Sequence, residues 1–128
     1  MSKKLLIVDD DLFVMKTIQN SLTEEECKNI DFCESPEEAI EKMSENEYKR
    51  IVSDWRFPES DLNGIDILIK AGNNGIEERV LMTSVSKIKK IDDADSFCAV
   101  RKPLSKAAVI SMCYDEFETL DKLSSICR

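Results

Sequence analysis

Arg50-Ile51-Val52-Ser53-Asp54 is a short apolar run that ends on an acid and is followed at once by Trp55-Arg56-Phe57-Pro58. A bounded apolar run of this length reads as a buried strand. An acid at the end of such a strand is costly unless a cation meets it, because unpaired charge is strongly disfavoured away from water. Two other runs share the form. Leu5-Leu6-Ile7-Val8 ends on Asp9-Asp10-Asp11, and the run through Val100 ends on Arg101-Lys102-Pro103. If these strand ends lie side by side, a strand-borne acid, an acid cluster and a lysine make a site.

Working outward, residues 4–8 read as a strand buried on both faces. Phe13, Met15, Ile18 and Leu22 recur at roughly helical spacing and predict a helix over 12–25. Ile30-Asp31-Phe32-Cys33 is a second strand. Ser35-Pro36-Glu37-Glu38 then carries a serine N-cap, a proline at the first helical position and a glutamate three after the serine, a strong helix start. Ala39, Ile40 and Met43 give this helix its inner face. Tyr48 to Asp54 is the third strand, and 55–63 is a polar loop. Ile65, Leu68 and Ile69 predict a helix ending near Gly72-Asn73-Asn74-Gly75. Val80 to Thr83 is a fourth strand, Ser86 to Ala94 a short helix and Phe97 to Val100 a fifth strand. Ser105 caps a final helix, about 105–126, carrying Ala108, Val109, Met112, Phe117, Leu120 and Leu123.

Strands alternating with helices imply right-handed crossovers and a five-stranded parallel sheet flanked by helices on both faces. In such α/β sheets the site lies outside the carboxyl ends of the strands. Asp9-Asp10, Asp54, Thr83-Ser84 and Lys102 all fall there.

Composition narrows the function. The 128 residues suit one domain, 1–128. A net charge of −8 argues against a nucleic-acid surface and suits a cation site. The five cysteines, Cys27, Cys33, Cys98, Cys113 and Cys127, show no CxxC spacing and read as reduced thiols of a cytoplasmic protein. The first apolar run is too short for a signal peptide or membrane span. The chain has no histidine. It therefore holds no Ser-His-Asp or Cys-His pair, and it can receive phosphate from a histidine elsewhere but cannot be the histidine donor.

In order, Asp9-Asp10, Asp54, Pro58, Gly64, Thr83-Ser84 and Lys102-Pro103 resemble the receiver domain of two-component response regulators, with its (βα)5 flavodoxin-like fold. The resemblance implies a signalling phosphoacceptor rather than an enzyme. Asp54 would accept a phosphoryl group from a histidine kinase or a histidine phosphotransfer protein. Asp10, Asp54 and the backbone carbonyl of Arg56 would hold Mg²⁺, with Asp9 acting mainly through water. Lys102 would neutralise the phosphoryl oxygens, and Thr83 would supply the hydroxyl that bonds them, with Ser84 as the alternative register. The Lys102-Pro103 bond is expected to be cis. The final helix could mediate a homodimer or lead towards an output partner or domain.

The chain also departs from the pattern. The loop from Asp54 to Gly64 is about two residues longer than usual, and the stretch from Thr83 to Lys102 is shorter. Ala99 stands where receivers commonly carry an aromatic residue three before the lysine, with Phe97 two positions earlier. Arg56 cannot act as a base, and Val85, on the Thr83 register, offers no water-orienting group, so a long-lived phosphoryl state is expected. Two further readings exist. Leu5 to Asp11 also matches the start of haloacid-dehalogenase-type phosphatases, with Asp9 as nucleophile and Asp11 as acid/base. A degenerate receiver would only bind partners.

Overall fold

The computed structural model describes residues 4–84 and 97–117. In chain order the elements are β1 (Lys4–Val8), α1 (Leu12–Ser21), α2 (Glu24–Cys27), β2 (Ile30–Cys33), α3 (Pro36–Glu45), β3 (Tyr48–Asp54), α4 (Gly64–Asn73), β4 (Glu78–Thr83), β5 (Cys98–Arg101) and α5 (Lys106–Tyr114). The strands form one parallel sheet in the order β2-β1-β3-β4-β5. Strand order reverses between β1 and β3, where the acid-tipped ends stand side by side.

Alternation along the strands splits the core in two. Leu6, Val8, Ile51, Leu81 and Ala99 pack with Ala39 and Met43 of α3 and Ile67, Leu68 and Ala71 of α4. Leu5, Ile7, Val52, Val80, Met82 and Cys98 pack with Met15 and Ile18 of α1 and Val109, Met112 and Cys113 of α5. Cys33, Cys98 and Cys113 are buried among the core residues, as small apolar residues would be; Cys127 lies outside the described residues.

Several boundaries differ from the sequence expectation. The helix expected over 12–25 stops at Ser21, because Thr23 begins α2 with a capping box: its side chain accepts from Glu26 N–H and Glu26 accepts from Thr23 N–H. Phe13 is 78% exposed rather than inward. Met15, Ile18 and Leu22 set the buried stripe, and a residue two before Met15 turns to the far side of the helix. The final helix ends at Tyr114, with Asp115 extended at its C-cap, and the expected stretch from 118 to 126 lies outside the described residues. So does the helix expected over Ser86 to Ala94. β4 starts earlier, at Glu78, and β5 is shifted by one residue. Gly75 sits at φ +88° beyond α4 and lets Ile76 N–H reach back to the Ala71 carbonyl.

Arg50 explains why α5 ends where it does. Its buried guanidinium donates to Glu78 Oε1 through Nε (3.0 Å), to the Met112 carbonyl through Nη1 (2.9 Å) and to the Asp115 carbonyl through Nη2 (2.6 Å). It also lies over the Phe117 ring at 5.7 Å. The orphan carbonyls of a helix end thus receive a buried cation. Removing Glu78 strands that charge. Glu78→Ala is expected to cost about 2–3 kcal/mol, less than the ~3–5 kcal/mol of a fully buried pair because Glu78 is 24% exposed. Urea unfolding at unchanged m-value measures it; a loss under about 0.5 kcal/mol would show that the pair does not hold α5.

Candidate functional site

Each strand delivers its residue by continuing its own alternation. Asp9 follows Leu5 and Ile7, Asp54 follows Val52, Ser84 follows Val80 and Met82, and Lys102 follows Cys98 and Val100, so all four fall on the α1/α5 face. The bonds agree. Lys102 Nζ donates to Asp9 Oδ2 and to Asp54 Oδ1, each at 2.9 Å. Carboxylate oxygens of Asp9, Asp10 and Asp54 lie within 4.8 Å of one another. The predicted acids and lysine come together as one cluster.

Burial grades the three acids. Asp9 is fully buried, Asp54 partly and Asp10 exposed. Burial pushes the Asp9 carboxyl above the usual carboxylate range and Asp54's charge adds to this, while the Asp11 N–H and Lys102 pull the other way. Asp10 is raised likewise, first by burial and then by Asp54. For Lys102, burial alone would favour the neutral amine, but the bonds to Asp54 and Asp9 win and raise its pKa. Three carboxylates against one ammonium leave the pocket with a deficit of positive charge. Hard oxygen donors in this arrangement fit a cation such as Mg²⁺.

The loop after β3 is shaped around the backbone of Asp54. Gly64 N–H donates to the Trp55 carbonyl at 2.7 Å. A Cβ on Gly64 would stand 2.0 Å from the Asp54 carbonyl oxygen and 2.8 Å from Trp55 Cα, so no side chain fits there. Phe57 is buried in the α3/α4 core and Trp55 packs against it. Arg56 is exposed, with its guanidinium 4.8 Å over the Trp55 ring rather than among the acids. The Lys102-Pro103 bond is cis, as expected.

The two candidate hydroxyls separate. Thr83 is buried and shares the face of Leu81, opposite to Asp54; its carbonyl accepts from Lys102 N–H at 2.8 Å. Ser84 is exposed and lines a groove of about 230 Å³ together with Lys102, Phe13, Val14, Pro103 and Leu104. Alternation therefore favours the Ser84 register. Val85 lies outside the described residues.

Sequence reading missed this groove and the exposure of Phe13, which lines it, and of the preceding Leu12. Asp11, the acid/base of the phosphatase reading, is the N-cap of α1 and accepts from Phe13 N–H at 2.9 Å. No described helix is long and apolar enough to cross a membrane.

Comparison with known proteins agrees with this architecture. Residues 5–113 match the family model of the response regulator receiver domain. Chemotaxis protein CheY1 of Helicobacter pylori J99 is 33% identical over 82 residues, covering 62% of this chain and 64% of the relative; its counterpart in strain 26695 is 35% identical over 68 residues, covering 52% and 53%. The matches thus span between half and two thirds of these relatives. Among solved structures, a CheY-like receiver domain protein from Methanospirillum hungatei JF-1 superposes with a TM-score of 0.71 at 16% identity, covering 97% of this chain and 100% of that one. CheY in a CheX-CheY-BeF3-Mg complex from Borrelia burgdorferi gives 0.66 at 19%, covering 88% and 87%. With a family match over nearly the whole described fold, the chain belongs to the response regulator receiver domain family, a signalling module of two-component systems.

Proposed function

We propose that this domain takes a phosphoryl group onto Asp54 from a phosphohistidine on a histidine kinase or histidine phosphotransfer protein, in the cytoplasm. The observation that carries this is the Lys102 ammonium shared between Asp9 and Asp54 at the switch point of the sheet. An Asp54 oxygen attacks phosphorus while the phosphorus–nitrogen bond to the donor imidazole breaks, leaving an acyl phosphate. Lys102 is already placed to neutralise the phosphoryl oxygens, and phosphoryl transfer is largely positioning and charge neutralisation. Mg²⁺ held by Asp10, Asp54 and the Arg56 carbonyl, with Asp9 acting through water, would supply the remaining positive charge. Ser84, on the site's face of β4, is the hydroxyl that would bond the phosphoryl group and bias the domain between two states.

The donor must approach over the strand ends. Phe13, 78% exposed, lines the apolar groove there with Pro103 and Leu104, and Leu12, next to it in the chain, is 66% exposed. An apolar surface at the rim of a charged pocket suits a helix that carries the donor histidine. On the outer side of α5, exposed Ile110 and Tyr114 suit an output partner or a second copy.

Incubation with a small acyl-phosphate donor and Mg²⁺, followed by mapping of the modified residue, tests the central claim. Modification is expected at Asp54 and lost in Asp54→Asn. Modification at Asp9 with turnover would point to the phosphatase, and none to a module that only binds partners. The label is expected to persist for minutes or longer, because neither Arg56 nor the Trp55 ring it stacks on can act as a general base; a lifetime of seconds would contradict this.

Ser84→Ala is expected to leave Asp54 phosphorylatable but to suppress the difference in backbone hydrogen exchange between the free and BeF3⁻/Mg²⁺ states, whereas Thr83→Val preserves that difference. The reverse pattern would return the role to Thr83.

The raised carboxyls give a pH signature. With pKa values above the ordinary 3.8, Asp9 and Asp10 bind more protons folded than unfolded. Their contribution to stability is therefore present in full below that value and is lost as pH rises through the raised values. Without Mg²⁺, this pair should make stability fall with pH above about 4, and Mg²⁺ should raise the melting temperature most where both are ionised. Melting curves from pH 4 to 8 for wild type and Asp9→Asn check it; a variant with the wild-type slope would remove Asp9 as its source.

A further inference from the structure

We propose that Ser60 is a positioning residue for the cation site: by donating to Glu37 it braces the loop from Trp55 to Gly64 and fixes the Arg56 carbonyl beside Asp54. The proposal rests on the metal reading above.

The loop is closed on itself in the manner of an Ω-loop, its ends joined by the Gly64 N–H bond to Trp55. Inside it, Ser60 N–H donates to the Phe57 carbonyl at 3.0 Å, and Leu62 N–H donates to Ser60 Oγ at 3.0 Å. The same hydroxyl donates outward to Glu37 Oε2 at 2.6 Å, on the first turn of α3. A hydroxyl that accepts from its own loop and donates to a carboxylate on another element links the two rigidly. The carboxylate makes this a charge-assisted bond. In keeping with that, Glu37 is held below the usual carboxylate range, first by the Ser60 hydroxyl.

The far end of the link is anchored. Ser35 caps α3, Pro36 opens it, and Glu38 Oε1 accepts from Glu34 N–H at 2.8 Å. The corner before α3 is joined to the acid cluster, since Asp9 N–H donates to the Cys33 carbonyl at 3.0 Å. A continuous ring therefore runs from Asp9 through Cys33, the start of α3, Glu37, Ser60 and Arg56 to Asp54, and while it is closed it opposes separation of the two flanks of the pocket. Mg²⁺ demands near-ideal octahedral geometry, so a carbonyl ligand on a loose loop binds it less well. A loop longer than the family pattern has more freedom to lose, and the Ser60–Glu37 bond removes it.

Mg²⁺ titrations, followed by the emission of Trp55 (the only tryptophan) and by calorimetry, test the brace. Ser60→Ala and Glu37→Ala are each expected to weaken Mg²⁺ binding about two- to fivefold, the range of one modest hydrogen bond. Ser60→Thr should restore it, and the Ser60→Ala/Glu37→Ala pair should be no worse than either single change. Urea midpoints without Mg²⁺ should fall by no more than the loss of one modest hydrogen bond, and the weakened Mg²⁺ binding of the still folded variants is the readout that a merely structural bond would not move. Wild-type affinity in Ser60→Ala, or additive losses in the double variant, would overturn the brace alone. A wild-type protein that shows no saturable Mg²⁺ binding by either readout would overturn the metal reading together with it.

Discussion

The site depends on the reach of one side chain. Lys102 leaves the end of β5, while Asp54 ends β3, two strands away in the order β3-β4-β5. At the usual strand spacing that is roughly 10 Å, about the limit a lysine can cover with help from the backbone. The span works because β4, lying between, ends in Thr83 with Ser84 just beyond it, and Lys102 N–H fastens to the Thr83 carbonyl before its side chain crosses. A bulky residue turned into the site at that crossing would block it. The ammonium then serves two acids at once and lets Asp9 stand fully buried. One cation cannot balance three carboxylates, and on the proposed reading the shortfall is what would draw a metal ion to the pocket.

β3 carries this arrangement as a spine. Arg50, Val52 and Asp54 share its α1/α5 face, so a cation stands at one end and an anion at the other. Both hold the same unit. Asp54 grips Lys102 at the start of the β5–α5 connection, and Arg50 grips the carbonyls at the end of α5. The helix is pinned at the top by the functional site and at the bottom by a structural ion pair. A change in the charge borne by Asp54 therefore acts on an element whose other end is fixed.

Much of this was legible in the sequence because it follows from period and punctuation. Apolar runs that stop on charge marked β1, β3 and the site, and Ser35-Pro36 marked the start of α3. What the sequence hid depends on tertiary context. The end of α5 is set by Arg50, more than sixty residues earlier. The break at Ser21 did have a local signal, Thr23 with Glu26 three later, but the apolar spacing through Leu22 masked it. Phe13 looked like a core residue because one helical period fits several phases; only the packing of Met15 and Ile18 selects among them. The choice between Thr83 and Ser84 turned on strand parity, which requires knowing which face each neighbour packs on.

That parity also bears on how a phosphorylated state would be read. Ala99 is buried on the α3/α4 face, paired with Leu81, and Phe97 packs into the same core. No aromatic ring stands at 99 to change rotamer, so a readout through an aromatic switch at that position has no side chain to use. Ser84 faces the other way, into the groove walled by Phe13 and Leu104. If its hydroxyl is the group that moves when Asp54 is modified, the surface altered first is the apolar one at the rim of the pocket. The surface that would receive the donor and the surface that would report the transfer then share a wall, and occupancy of one constrains the other.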